Sequence, residues 1–118
     1  MNLEQLRDFC LALPGATEAM PFGEQTLVFK VKEKIFLLTS LDSETLSFNV
    51  KCDPELAEEL RAQYSFVLPG YHMNKKHWNT VSAISPLYDS LYQNWIRHSY
   101  DRVVVGLPAR LRAELAEN

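Results

Sequence analysis

"TLVFKVKEKIFLLTSLDSETLSFNVK", Thr26 to Lys51, holds three apolar runs with strand periodicity and two short polar breaks. In the first run Leu27, Phe29 and Val31 alternate with Thr26, Val28, Lys30 and Lys32, the pattern of a strand with one polar face. "KEK" predicts a short hairpin connection, and "IFLLTSL" predicts a second strand apolar on both faces, as a central position requires. After the turn residues "DSE", Leu46, Phe48 and Val50 point one way while Thr45, Ser47, Asn49 and Lys51 point the other. An antiparallel meander follows. Its second face carries Lys30, Lys51, Thr45, Ser47 and Asn49 with Phe36 and Leu38 between them, a mixed surface open to partial covering.

Helical signals flank this meander. Asn2 and Gln5 have capping-box spacing, and Leu3, Leu6, Phe9, Cys10 and Leu13 recur at helical intervals until Pro14 and Gly15 end the run. The chain from there to Thr26 reads as a loop containing "MPFG". Asp53 and Pro54 form a cap followed by proline at the first helical position, which predicts a helix over about Pro54 to Gln63. Tyr71 to Met73 and Trp78 to Ala83 read as two short strands broken at Asn74 to Lys76. Ser85 and Pro86 repeat the cap signal, and Tyr88, Leu91, Trp95, Ser99 and Val103 lie along one face of a long helix. "ARLRAELAEN" is a short terminal helix or a frayed tail. The fold class is α+β, an antiparallel sheet against helices in the order α-β-β-β-α-β-β-α, as one domain over residues 1–118.

A chain of 118 residues with 47% hydrophobic and 23% charged residues has the composition of an ordinary globular domain. The N-terminal segment is interrupted by Glu4 and Asp8, so it reads as neither signal nor membrane span, and the cytoplasm is the expected compartment. Cys10 and Cys52 lack zinc-ligand spacing and are expected as reduced thiols. No metal site, cofactor or catalytic constellation is expected: the histidines are dispersed, the glycines are scattered, and no nucleophile motif is present.

One segment stands against the net charge of −3: no Asp or Glu occurs between Glu59 and Asp89, and "GYHMNKKHWNTV", Gly70 to Val81, places two lysines and two histidines inside it. Lys75 and Lys76 on a projecting turn would reach phosphate, with His72, Asn74 and His77 as hydrogen-bond donors and Lys30 and Lys51 extending the positive field. Trp78 is expected in the core, because a large indole entering a strand is usually buried. The expected function is therefore non-enzymatic binding of nucleic acid, as duplex DNA. The alternatives are a chaperone-like module docking a protein or peptide on Phe36 and Leu38, or a small-molecule site with His72, His77 and Tyr100.

Four blocks in order, "MPFGEQTLVFKVKEKIFLL", "NVKCDPELAEEL", "LPGYHMNKKHWNTV" and "HSYDRVVVGLP", resemble the bacterial MmcQ/YjbR family over nearly the whole chain. The resemblance implies a small cytoplasmic domain with an antiparallel sheet, in a fold likened to secretion chaperones and to a double-wing DNA-binding arrangement. It places the family's lysine-histidine-tryptophan run on Lys75, Lys76, His77 and Trp78. The sequence departs from the family pattern after Ser82, where "AISPLYDSLYQNW" replaces a more acidic helix start.

Overall fold

Alternation in the Thr26–Lys51 segment builds the centre of a six-stranded sheet whose described neighbours all run antiparallel. The computed structural model describes residues 1–71 and 73–116. In chain order these form α1 (Leu3–Leu11), β1 (Ala16–Ala19), β2 (Thr26–Val31), β3 (Lys34–Ser40), β4 (Ser47–Lys51), α2 (Pro54–Gln63), β5 (Val67–Pro69) and β6 (Trp78–Ser82). A 3₁₀ turn at Pro86–Tyr88 leads into α3 (Asp89–Val105), and α4 (Ala109–Ala116) follows. The sheet order is β1-β2-β3-β4-β6-β5.

The caps anticipated from sequence form. Asn2 Oδ1 accepts from the Gln5 amide at 2.8 Å while Gln5 returns a side-chain acceptor to Asn2 at 3.0 Å, closing a capping box. Asp53 caps α2 with Pro54 at its first position, and Ser85 caps the 3₁₀ turn. All helices with extensive sheet contact lie over one face, where Phe29, Leu37, Phe48 and Val81 meet Leu6, Tyr92, Ile96 and Tyr100. Aromatic edges organise this core: Phe48 meets Tyr92 at 6.1 Å and 84°, and Phe36 meets Tyr100 at 5.5 Å and 88°. Full burial of each such ring stabilises the fold by about 1.5–3 kcal/mol.

Three features differ from the sequence reading. β1 is a strand rather than a loop: it pairs along the edge of β2, and its Glu18 turns toward α1 to take both Arg7 Nε (2.9 Å) and Nη2 (2.5 Å). β5 occupies Val67–Pro69, upstream of the expected strand from Tyr71 to Met73, of which Tyr71 and Met73 instead belong to the connection to β6. Phe36 does not lie on the second face. A bulge between Phe29 and Lys30 pairs Phe29 with Leu37 and Lys30 with Ile35, so Phe36 is an extra residue and both it and Leu37 face the helices. On the other side of β3, the α3 residue Ser99 links it to β4, its hydroxyl donating to the Phe36 carbonyl at 2.5 Å and accepting from the Lys51 amide at 2.8 Å.

The bulge resets the parity of β3. Ile35 and Leu38 consequently face away from the helices.

The β2–β3 hairpin turns at Lys32 and Glu33, both with positive φ (48° and 66°), the twist that a two-residue connection needs. Gly15, at φ 70°, lies so close to α4 that a Cβ there would stand 2.5 Å from the Leu115 side chain.

Candidate functional site on the helix-free sheet face

Register across the sheet defines the helix-free face. Val28, Leu38, Asn49, Thr80 and Leu68 form one cross-strand row, and Lys30 pairs with Ile35 while Lys51 pairs with Trp78 one step along. Thr26, Ser40, Ser47 and Ser82 make up the next row. The charged residues among these are Lys30 and Lys51. An acidic chain has thus placed no carboxylate on these strand positions of the face.

Two loops rise beside it. The β1–β2 loop brings Phe22, 65% exposed, and the β5–β6 connection brings Tyr71, 71% exposed, together with Met73. With Ile35, Leu38 and Trp78 as floor, they bound a cleft of about 630 Å³, into which Asn49, Thr26 and Ser40 bring polar groups. Volume and lining suit a flat or apolar group with a few hydrogen-bonding positions.

Trp78 belongs to this cleft and lies outside the buried core, contrary to the expectation from its size. The β5–β6 connection holds it there. Arg61 of α2 reaches across to donate to Asn79 Oδ1 at 2.6 Å, to the Trp78 carbonyl at 3.1 Å and to the Lys75 carbonyl. Gly70 lies against Trp78 with no room for a side chain, since a Cβ would stand 2.8 Å from that of Trp78.

At the Ile35 end, a second groove of about 310 Å³ continues toward α3 and α4, lined by Lys34, Ile35, Lys51, Arg102 and the Val103–Pro108 segment. Ile35 is common to both depressions. The ionisable side chains lining this groove are cations. Asp53 reaches Arg102 from outside the lining at 3.8 Å, and Glu33 reaches Lys30 at 3.7 Å from an 87% exposed position.

The structure separates the residues singled out in the sequence. Lys30 and Lys51 lie on the helix-free face. Lys75 and Lys76 belong to the β5–β6 turn and line a different depression, together with Glu55, Glu58 and Arg61. Carboxylates missing from the neighbouring sequence therefore arrive from α2. Asn74 shapes the turn: its side chain accepts from the Lys76 amide at 3.0 Å and its carbonyl from the Trp78 amide at 3.0 Å. His77 is half-buried, its carbonyl accepting from Cys52 N at 2.7 Å and its Nδ1 without a hydrogen-bond partner among the described residues. His72 lies outside the described residues. Tyr100, the third polar group of the small-molecule alternative, is buried with its hydroxyl donating to the Pro14 carbonyl at 2.6 Å, remote in the fold from the turn.

Sequence reasoning did not single out Phe22, Lys34, Tyr71 or Thr80. Phe22 and Tyr71 lie in loops, where periodicity is silent, and Lys34 was absorbed into the hairpin. Alternation in β4 did contain a signal for Asn49 and Lys51, because it put both on the second face.

A family model described as YjbR matches residues 11–102. The chain belongs to the YjbR family. Among YjbR-family relatives, the uncharacterised Escherichia coli K12 protein YjbR is 33% identical over 117 residues, covering 99% of each chain. The uncharacterised protein YbdF of Escherichia coli O157:H7 is 36% identical over 107 residues, covering 91% of this chain and 88% of its own. The crystal structure of Deinococcus radiodurans protein DR2400, with a DUF419 domain, superposes with a TM-score of 0.91 at 38% identity, covering 98% of this chain and 88% of that one. A Pseudomonas syringae protein superposes at 0.71 and 26% identity, covering 84% and 96%. The YjbR match begins inside α1 and ends at Arg102, so it contains the cleft residues from Phe22 to Trp78 and leaves α4 outside. Among the described residues no helix is long and apolar enough to cross a membrane.

Proposed function

We propose that the protein is a non-enzymatic module that binds single-stranded nucleic acid across the helix-free face, with bases in the aromatic cleft and phosphates along the cationic groove. The observation that carries this reading is the junction at Ile35, where an aromatic-lined depression meets one whose charged lining is Lys34, Lys51 and Arg102. A ligand with flat apolar units on a polyanionic backbone matches both halves, and stacking on an aromatic side chain contributes about 1–3 kcal/mol per base. Duplex DNA keeps its bases paired and stacked, so it offers phosphates and groove edges but no free base face to enter the cleft. Single strands are the form that uses the cleft.

With three or four phosphates engaged, the logarithm of the affinity should fall with the logarithm of salt at a slope of about −2 to −3. Fluorescence anisotropy of labelled single strands and duplexes over a salt series tests this. A Lys34→Glu, Lys51→Glu variant is expected to lose single-strand binding, while Lys75→Glu, Lys76→Glu, whose lysines share their surface with Glu55 and Glu58, is expected to retain most of it. Loss confined to the second variant would move the contact back to the β5–β6 turn. A peptide with an apolar anchor is the rival occupant, and it predicts affinity insensitive to salt and to both charge reversals.

A further inference from the structure

Charge changes sign along the strands that floor the cleft. At one end lie Lys34, Lys51 and Arg102 of the cationic groove. At the other end the cleft reaches Thr26 and Ser40, and Ser40 also lines a further depression of about 550 Å³ whose charged side chain is Glu44. The Met1 ammonium in that depression is held by Asp89 at 2.7 Å. The connections at this end of the sheet are residues 20–25, 41–46, 64–66 and 83–85, which contain Glu24, Asp42 and Glu44 and no lysine, arginine or histidine. Two of these loops are joined, with Leu41 N donating to the Gln25 carbonyl at 2.8 Å, and the Ser40 hydroxyl donates to the Asp42 carboxylate. The cleft therefore lies between a cationic end and an acidic one.

We infer that the cleft takes the terminal nucleotide of a single strand, whose chain leaves along the cationic groove, and that the carboxylates at the Ser40 end select a strand end over a strand interior. This rests on the reading of the cleft as a single-strand site. A nucleotide inside a strand has a phosphate on each side of its sugar. One of the two fits the groove, while the other is sent toward Glu24, Asp42 and Glu44 or lifted off the face into solvent. A terminal nucleotide ending in a hydroxyl has only the first. Carboxylates bordering the cleft act on a phosphate within the Debye length, about 10 Å at about 0.1 M salt, and together they disfavour the second phosphate by about fivefold at low salt. All three are exposed, so the preference for an end should shrink as salt rises.

The test is competition against an internally labelled oligothymidylate strand at low salt, read by fluorescence anisotropy on the full chain, with unlabelled linear and covalently circular oligothymidylate of equal length as competitors. Wild type is expected to bind the linear strand about fivefold more tightly than the circle. A linear strand phosphorylated at both termini carries the missing phosphate back and should compete like the circle. In a Glu24→Gln, Asp42→Asn, Glu44→Gln variant, which keeps an acceptor for the Ser40 hydroxyl, the linear-to-circular ratio should fall to about twofold or less through a gain by the circle. Equal competition by the linear strand and the circle in wild type, terminal phosphates without effect, or a ratio that the variant leaves unchanged overturns the inference, while the binding itself upholds the cleft as a single-strand site. Failure of the labelled strand to bind wild type overturns that reading, and the inference with it.

Discussion

His98 accepts a hydrogen bond at Nε2 from the Asp53 amide at 3.2 Å, which requires that nitrogen to be unprotonated. Burial, helped by the nearby Arg102 cation, lowers its pKa below the ordinary value of 6.5. The unfolded chain therefore binds the proton more readily than the native one, and stability falls as pH drops from about 7 through 6.5 toward the lowered value. Thermal unfolding from pH 7.5 to 5 should show this loss, and His98→Gln, which keeps an acceptor that does not titrate, should flatten it. An unchanged slope in the variant would assign the effect elsewhere. The two cysteines behave oppositely to such a switch: burial pushes the Cys10 thiol up to about 12 and that of Cys52 to about 11, so both stay protonated at neutral pH. Residues of this kind were partly legible in the sequence. The isolation of each cysteine from zinc-type spacing was visible, whereas the acceptor role of His98 depends on α3 lying beside the start of α2. Trp78 marks the limit more sharply, because hydrophobicity alone places an indole inside and only the turn held by Arg61 puts it on the open face.

Ser99 carries the corresponding argument for an element. Its hydroxyl is fully buried and joins the Phe36 carbonyl to the Lys51 amide just beyond the Leu37–Val50 pair, where the pairing of β3 with β4 ends. Ser99→Ala leaves a buried donor and a buried acceptor without partners, and should destabilise the protein by about 2–3 kcal/mol in urea unfolding. A loss under about 0.5 kcal/mol would mean that water replaces the hydroxyl. Periodicity found the strands, and capping residues found the starts of α1 and α2. It failed at β1, whose four residues, Ala16–Ala19, include none of the bulky β formers and turn Glu18 toward Arg7. The bulge was equally invisible: "IFLL" is apolar throughout, so no alternation records which residue is the extra one. Its effect on the candidate site is direct, since that one-residue insertion decides that Ile35 and Leu38 floor the cleft while Phe36 enters the core.

Over the whole molecule, a net charge of −3 coexists with a sheet face whose charged strand residues are lysines. The acid-free stretch of sequence pointed toward a cationic surface, and folding brings Glu55 and Glu58 back beside Lys75 and Lys76 through α2. Lys34, Lys51 and Arg102 come from three separate elements and converge only after folding. Strand order has a kinetic side as well. β1 to β4 are neighbours in both chain and sheet, so their pairings close short loops, whereas β6 must reach β4 across α2 and β5. Short-range pairings cost less chain entropy and are expected in the folding transition state, with the β5–β6 unit docking afterwards. Val28→Ala should thus slow folding, with a φ-value of about 0.5 or more, while Val67→Ala should mainly speed unfolding. Equal φ-values at the two positions would contradict that order. Because Tyr71 and Trp78 travel with the late-docking unit, the cleft would be the last part of the protein to assemble and the first to open in native-state hydrogen exchange.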